Sequence, residues 1–139
     1  MGDRSDCGPF VKIRAGTEVA EDVHIGSFAE LVRTKVGRGS KVPHVSYLGD
    51  TAIGEDANVG AGTITANFNG EVKQRTQIGD RAFVGVDTML VAPVKLGKGS
   101  RTGAGSVVTK DVPDGETAVG VPARVLRRKA VGHQGQDHG

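Results

Sequence analysis

Residues that could transfer protons or bind a metal are few in this chain of 139 residues, which has four histidines and one cysteine. His24 and His44 stand in its main part, whereas His133 and His138 stand in a terminal segment rich in Gly and Gln. An imidazole titrates near pH 6.5 and can therefore accept a proton at neutral pH. A catalytic zinc ion usually needs three protein ligands, and the main part offers two histidines and the lone Cys7. The residue types therefore favour proton transfer over metal chemistry.

Composition and charge exclude several classes of protein. The 18 Lys and Arg nearly balance the 16 Asp and Glu, so the net charge of +2 does not predict a nucleic-acid binder. No apolar run is long enough for a signal peptide or a membrane span, which predicts a cytoplasmic protein without a membrane partner. With 22 Gly, no Trp and one Tyr, the chain has too few large side chains for a thick globular core.

A six-residue repeat accounts for this composition. From Ile13 onward, Ile, Val or Leu recurs at nearly every sixth position, and a small or β-branched residue often stands four positions later. This period fits neither a helix nor a long strand, and it predicts short strands joined by tight turns, with both residues pointing inward. Sixteen such units over residues 13–112, three to a coil, predict a parallel β-helix of about five coils.

The segments outside the repeat are predicted separately. Residues 1–12 are a lead-in, and residues 65–77 break the period and predict a loop that protrudes from the coil. Such a loop on a rigid scaffold either carries function or is a tolerated insertion. The remaining residues, 113–139, are predicted to form an extended segment, a short basic helix over 123–129 and a disordered tail.

Four segments are not explained by the repeat alone, namely residues 8–14, 43–50, 59–67 and 83–85. Together they resemble the acetyltransferase domain of the bifunctional N-acetylglucosamine-1-phosphate uridyltransferase and glucosamine-1-phosphate acetyltransferase. The motifs His-x-Ser-Tyr-Leu-Gly-Asp and Asn-Phe-Asn-Gly make this resemblance specific. It implies an all-β, left-handed parallel β-helix that acts as a homotrimer and uses acetyl-CoA as co-substrate, with no metal. A solenoid this short is also expected to self-associate, because it buries little surface alone.

The resemblance also implies roles for ten residues. His44 occupies the position of the general base, which takes the proton that an amine loses as it attacks a thioester. Substrate-binding positions are matched by Arg14, Tyr47, Asn58 and Lys73. Cofactor-binding positions are matched by Ala61, Asn67, Phe68, Val86 and Ala104. Some of these have simpler interpretations, since a corner arginine can be merely solvated and small residues satisfy the repeat in any case.

The chain departs from the family at four positions. Val32 replaces a lysine that binds substrate, and the neighbouring Arg33 is expected to point the other way on a strand. Phe68 stands in place of a tyrosine, Val86 in place of a serine and Val121 in place of an arginine. The general base and much of the coenzyme groove are therefore expected to remain, whereas the phosphate-binding set is depleted.

The leading interpretation is an acetyl-CoA-dependent N-acetyltransferase that acts on an amino sugar or a related small amine by direct transfer. The alternative is a glucosamine-1-phosphate N-acetyltransferase proper, in which Arg14, Arg33 and Lys73 bind the phosphate. A third possibility is a non-catalytic β-helix scaffold or binding module. A zinc hydratase of the γ-carbonic-anhydrase kind would need three histidines at one interface, and the repeat region has two.

Overall fold

Short strands separated by tight turns follow one another along the chain. The computed structural model describes residues 1–126, and all the regular secondary structure in that range consists of β-strands. In chain order they are β1 (Asp6–Cys7), β2 (Lys12–Ile13), β3 (Glu18–Val19), β4 (His24–Ile25), β5 (Ala29–Val32), β6 (Lys35–Val36), β7 (Lys41–Val42), β8 (Ser46–Gly49), β9 (Thr51–Ile53), β10 (Asn58–Val59), β11 (Ile64–Ala66), β12 (Thr76–Ile78), β13 (Phe83–Val84), β14 (Met89–Val91), β15 (Val94–Leu96), β16 (Arg101–Thr102), β17 (Val107–Val108), β18 (Thr117–Gly120) and β19 (Ala123–Val125). The described residues contain no helix able to span a membrane.

Successive strands join three sheets in rotation, one sheet for each side of the coil. Sheet A has the order β1-β4-β7-β10-β13-β16-β18-β19, sheet B has β2-β5-β8-β11-β14-β17, and sheet C has β3-β6-β9-β12-β15. Neighbouring strands are parallel except for the last pair, β18 and β19. The result is a left-handed parallel β-helix of about six turns, which confirms the predicted fold class.

The interior is a column of aliphatic side chains from equivalent positions of successive coils. On sheet B, Ile13, Leu31 and Leu48 are in register, and the last two are fully buried. Small residues of the repeat also point inward, and some of their hydroxyls donate hydrogen bonds to backbone carbonyls in the turns. The Ser40 hydroxyl donates to the Gly54 carbonyl at 2.7 Å, and the Thr63 hydroxyl to the Gly60 carbonyl at 2.7 Å. The turns thus satisfy most of the buried hydroxyls in the narrow column, whereas Thr76 Oγ1 and Ser100 Oγ have no hydrogen-bond partner among the described residues.

The N-terminus differs from the sequence prediction of a lead-in over residues 1–12. β1 pairs in parallel with β4, and the amide of Gly2 donates to the Val19 carbonyl at 2.9 Å, so the first coil begins before Ile13. This coil explains the difference between about five predicted and about six observed turns. It was missed because residues before Ile13 lack the aliphatic spacing that marks the later units.

The loop and the C-terminal segment also differ from their predicted bounds. Thr65 lies in β11 and Thr76 in β12, so the protruding loop is residues 67–75 rather than 65–77. The short basic helix predicted over 123–129 is wrong at its start, where β19 pairs antiparallel with β18. The exposed edge of β18 accepts a further strand, and pairing there satisfies more backbone groups than one isolated helical turn would. The rest of that helix and the predicted disordered tail lie outside the described residues.

Candidate functional site

The corner between sheets A and B carries His44 and a line of other predicted site residues. Successive coils are joined there by backbone hydrogen bonds of 2.6–3.0 Å between Ser27 and Val45, Val45 and Gly62, Ala61 and Asp87, and Val86 and Gly105. His44 stands at one step of this corner, and Ala61, Val86 and Ala104 occupy the next three. The fold therefore aligns the predicted base with three of the five predicted cofactor positions, although up to 60 residues separate them in the chain.

An open cleft of about 510 Å³ lies at the same corner, on the N-terminal side of His44. His24 and Phe28 line it with His44, and the Phe28 ring stacks on Phe10 with centroids 5.4 Å apart. His24, to which the sequence analysis assigned no role, has its Nδ1 atom 2.9 Å from an Asp6 carboxylate oxygen. The imidazole of His44 makes no side-chain hydrogen bond within residues 1–126. In the same range no group of three or more His, Cys, Asp or Glu side chains could hold a metal ion.

A buried carboxylate links several residues at the opposite edge of sheet B. Asp50 is 9% exposed and accepts two hydrogen bonds from the Arg33 guanidinium, at 2.6 Å from Nε and 3.0 Å from Nη2. The Asn67 amide donates to the same carboxylate at 2.8 Å, and its nitrogen lies 3.5 Å from the Tyr47 hydroxyl. Predicted substrate and cofactor positions thus meet through Asp50, the last residue of the segment 43–50, for which the sequence alone predicts no role. The feature of the sequence that could have indicated Asp50 is its charge, which stands in a segment that the repeat does not explain.

The prediction that Arg33 points away from this region is wrong. Arg33 follows β5 instead of lying in it, and its φ of 46° is left-handed, so strand alternation does not apply. Its side chain instead reaches Asp50 in the next coil. Val32 remains in the strand, opposite Gly49, and is buried at 3% exposure. A Cβ on Gly49 would collide with the Asn67 amide and the Tyr47 hydroxyl, which explains the glycine in this motif.

The cations predicted to bind a phosphate already have partners in the structure. The Arg14 guanidinium donates to the Glu30 carboxylate at 3.0 Å, just as Arg33 donates to Asp50. In the loop of residues 67–75, the Lys73 ammonium lies 5.3 Å from the centroid of the Phe68 ring. This side of sheet B therefore carries less unbalanced positive charge than its number of cations suggests.

Asn58 lies apart from the other predicted substrate residues. It is in β10 of sheet A, in register with Lys41 and Phe83, whereas Tyr47 is in β8 of sheet B. The two residues stand on opposite flanks of the corner that carries His44. Within one chain the structure does not bring them together.

The buried pair also changes the protonation of Asp50. Hydrogen bonds from Arg33 hold the pKa of the Asp50 carboxyl below its usual value, although burial opposes this shift. The hydrogen bond from the Asn67 side-chain amide and the charges of Arg33 and Lys73 lower this pKa further. Asp50 is therefore ionised throughout the neutral pH range.

Comparison with known proteins identifies relatives for most of this structure. Residues 75–110 match the family model described as bacterial transferase hexapeptide (six repeats). The chain is similar to the bifunctional protein GlmU of Rubrobacter xylanophilus, with 59% identity over 112 residues, or 81% of this chain and 24% of that protein. Against GlmU of Paracoccus denitrificans the identity is 50% over 120 residues, or 86% and 27%. The motif-based resemblance is thus confirmed, and the chain spans about a quarter of the length of these curated relatives.

Solved structures share the fold at lower sequence identity. PerB from Caulobacter crescentus, solved in complex with CoA and GDP-perosamine, has a TM-score of 0.79 and 22% identity over 88% of this chain and 57% of that one. AntD, an N-acyltransferase from Bacillus cereus in complex with dTDP and 3-hydroxybutyryl-CoA, has a TM-score of 0.73 and 18% identity over 94% and 82%. At these identities the likeness supports the parallel β-helix.

Asp50→Asn should lower the free energy of unfolding at pH 7 and lose most of that effect in acid. A carboxylate with a lowered pKa in the fold contributes stability that is complete above its unfolded pKa, about 3.9, and is lost as pH falls through the folded pKa. We expect a loss of about 1–2 kcal/mol at pH 7, since solvent screens part of the pair. Urea unfolding of the wild type and of Asp50→Asn, at pH 7 and in strong acid, measures this difference in the free energy of unfolding. The same loss at both pH values would contradict this account.

Proposed function

We propose that this chain, which shares half or more of its aligned residues with GlmU proteins, is an acetyl-CoA-dependent N-acetyltransferase acting on an amino sugar or a related small amine. The observation that carries the proposal is the single corner on which His44, Ala61, Val86 and Ala104 follow one another. It offers a proton acceptor at one end of a track of small or apolar residues, which suits a thioester carried on a long, thin arm.

The proposed reaction is a direct transfer in which His44 acts as general base. The amine nitrogen attacks the thioester carbonyl carbon, a C–N bond forms, and the C–S bond breaks to release the CoA thiolate. The nitrogen must lose a proton in the process, and the imidazole of His44 accepts it and then passes it to solvent or to the thiolate. Cys7 lies in β1, two coils before the strand that precedes His44, and forms no covalent intermediate in this scheme.

The proposed acceptor is an amine without a phosphate. Val32 offers a buried apolar side chain where the family has a lysine, and Arg14 and Arg33 are each paired with a carboxylate. These pairs reduce the attraction that the site can offer to a phosphate dianion. The alternative acceptor, glucosamine 1-phosphate, would need Arg14, Arg33 and Lys73 to leave or share their present partners.

The active unit of the proposed enzyme is a homotrimer with sites between neighbours. The separation of Asn58 from Tyr47 favours this arrangement, because a neighbouring copy could place its own Asn58 opposite Tyr47. Exposed apolar residues on the same corner, among them Phe10, Phe28 and Val45, would be covered by such a neighbour.

The assembly can be tested by light scattering at micromolar protein concentration. The expected mass is three times that of the 14.4 kDa chain. A stable monomer would remove both the trimer and the proposed arrangement of the site between copies.

The activity can be tested by thiol release from acetyl-CoA with a panel of amino sugars and small amines. Wild-type protein should release thiol with at least one of them, and His44→Ala should lower kcat by roughly a hundredfold, the usual scale for a lost general base. The matched control is His24→Ala, which removes a histidine from the same cleft and should change kcat little. Turnover in His44→Ala near that of the wild type would assign proton transfer to another group. Absence of turnover with every amine would favour the non-catalytic scaffold.

The acceptor class can be tested with Val32→Lys. The new ammonium should raise kcat/KM for glucosamine 1-phosphate relative to glucosamine by about ten- to a hundredfold, since hydrogen bonds to charged groups contribute about 1.5–3 kcal/mol. Val32→Met, which lengthens the side chain without a charge, is the control for packing at this buried position. If the wild type already prefers the phosphorylated sugar and lysine adds nothing, the alternative acceptor is correct.

A further inference from the structure

We propose that Asp50 is a positioning residue that determines which atom of Asn67 faces the ligand, so that the Asn67 side chain presents its carbonyl oxygen to an N–H donor. This inference rests on the proposed function, because it assigns a role within the site that the proposal places between neighbouring copies. Nothing in the similarity to GlmU or in the family model assigns this task to Asp50.

The polarity of the contact between Asp50 and Asn67 decides the orientation of the amide. An ionised carboxylate can only accept hydrogen bonds, so the Asn67 atom that lies 2.8 Å from it must be the NH₂ group. The guanidinium of Arg33 keeps Asp50 ionised through its two hydrogen bonds. The Asn67 Oδ1 atom then has to point to the other side of the amide.

The surroundings leave the Asn67 side chain little freedom to turn over. Asn67 is 6% exposed, and its backbone carbonyl accepts a hydrogen bond of 2.6 Å from the Gln74 amide. The missing Cβ of Gly49 provides the space in which the Asn67 amide and the Tyr47 hydroxyl meet. Within residues 1–126 no group donates a hydrogen bond to Oδ1, so this acceptor is left for a ligand.

Two N–H donors of the proposed reaction share the chemistry that this oxygen selects. One is a secondary amide of the pantetheine arm of acetyl-CoA, and the other is the amine of the acceptor. Each would donate a hydrogen bond to Oδ1, and an NH₂ group in the place of Oδ1 would oppose it. The two sources can be separated by their KM values.

The chain provides a matched control pair at its N-terminal end. Arg4 donates to Asp22 at 2.7 Å from Nε and 3.0 Å from Nη2, and Asp22 has a φ of 57° where Asp50 has 50°. This pair is exposed, and its carboxylate has no amide partner within the described residues, although Arg4 also donates to Glu21 at 3.1 Å. Asp22→Asn therefore repeats the loss of an arginine–carboxylate pair without touching Asn67.

Kinetics in Asp50→Asn and Asp22→Asn test the positioning role. Asp50→Asn allows the Asn67 amide to turn over, and we expect KM for acetyl-CoA or for the amine to rise about tenfold, with a smaller change in kcat. A rise in KM for acetyl-CoA would mean that Oδ1 binds the pantetheine amide. A rise in KM for the amine substrate would mean that Oδ1 binds the amine. Unchanged KM values in a folded Asp50→Asn, or the same change in Asp22→Asn, would overturn the proposal.

The double variant Asp50→Asn/Asn67→Asp tests the polarity directly. It exchanges the amide and the carboxylate, so the hydrogen bond between the two positions is kept and position 67 still presents an acceptor. The KM that rose in Asp50→Asn should return to within a few fold of the wild-type value. If the double variant folds but this KM stays high, the hydrogen-bond acceptor at position 67 does not bind the ligand.

A readout that needs no activity separates this proposal from the proposed function. The side-chain amide signals of Asn67 in a ¹⁵N NMR spectrum, assigned by their loss in Asn67→Asp, should show slow hydrogen exchange in the wild type and in Asp22→Asn. They should exchange faster in Asp50→Asn. If no amine is acetylated but the signals behave in this way, the proposed function fails while the positioning of Asn67 by Asp50 stands. Fast exchange in the wild type would overturn the positioning even if the enzyme is active.

Discussion

The narrow interior of the coil is the constraint on which the rest of the structure depends. Each side of a coil has room for one aliphatic and one small inward residue, so the interior has no room for a ligand or a large side chain. Any recognition must therefore take place on the outer faces, the corners or the loop of residues 67–75. The same constraint explains why a chain with no Trp and one Tyr forms an ordered core.

Left-handed backbone at the corners places side chains where strand alternation would not. Phe28, Arg33, Val45 and Asp50 all have positive φ, a conformation that non-glycine residues adopt rarely. Arg33 and Asp50 occupy equivalent corner positions one coil apart, and there the solenoid's stacking brings them into contact. Their ion pair links the two coils.

The pairing of charges on the outer face matters as much as their number. The chain has nearly equal numbers of basic and acidic residues, and several of them meet across one coil step, as Arg14 and Glu30 do and as Arg33 and Asp50 do. Such pairs contribute little stability when exposed, but they decide how much charge is left for a ligand. The buried Asp50 is different. Its carboxylate accepts two hydrogen bonds from Arg33 and one from Asn67 at a site where water competes less.

The sequence by itself determined the parallel β-helix and most of the repeat, because a six-residue period leaves few other ways to bury its aliphatic residues. The left hand of the helix was implied by the family resemblance and not by the period. It also identified the segment around His44, since residues that the repeat does not require stand out against it. The tertiary structure alone decided the first coil, the strand at Ala123–Val125 and the link between Arg33, Asp50 and Asn67. These features depend on contacts across 17 or more residues, or on the exposed edge of a finished sheet, and a local pattern contains neither. The direction of Arg33 was predicted wrongly for the same physical reason, because alternation ends with the strand and the next coil supplies the partner.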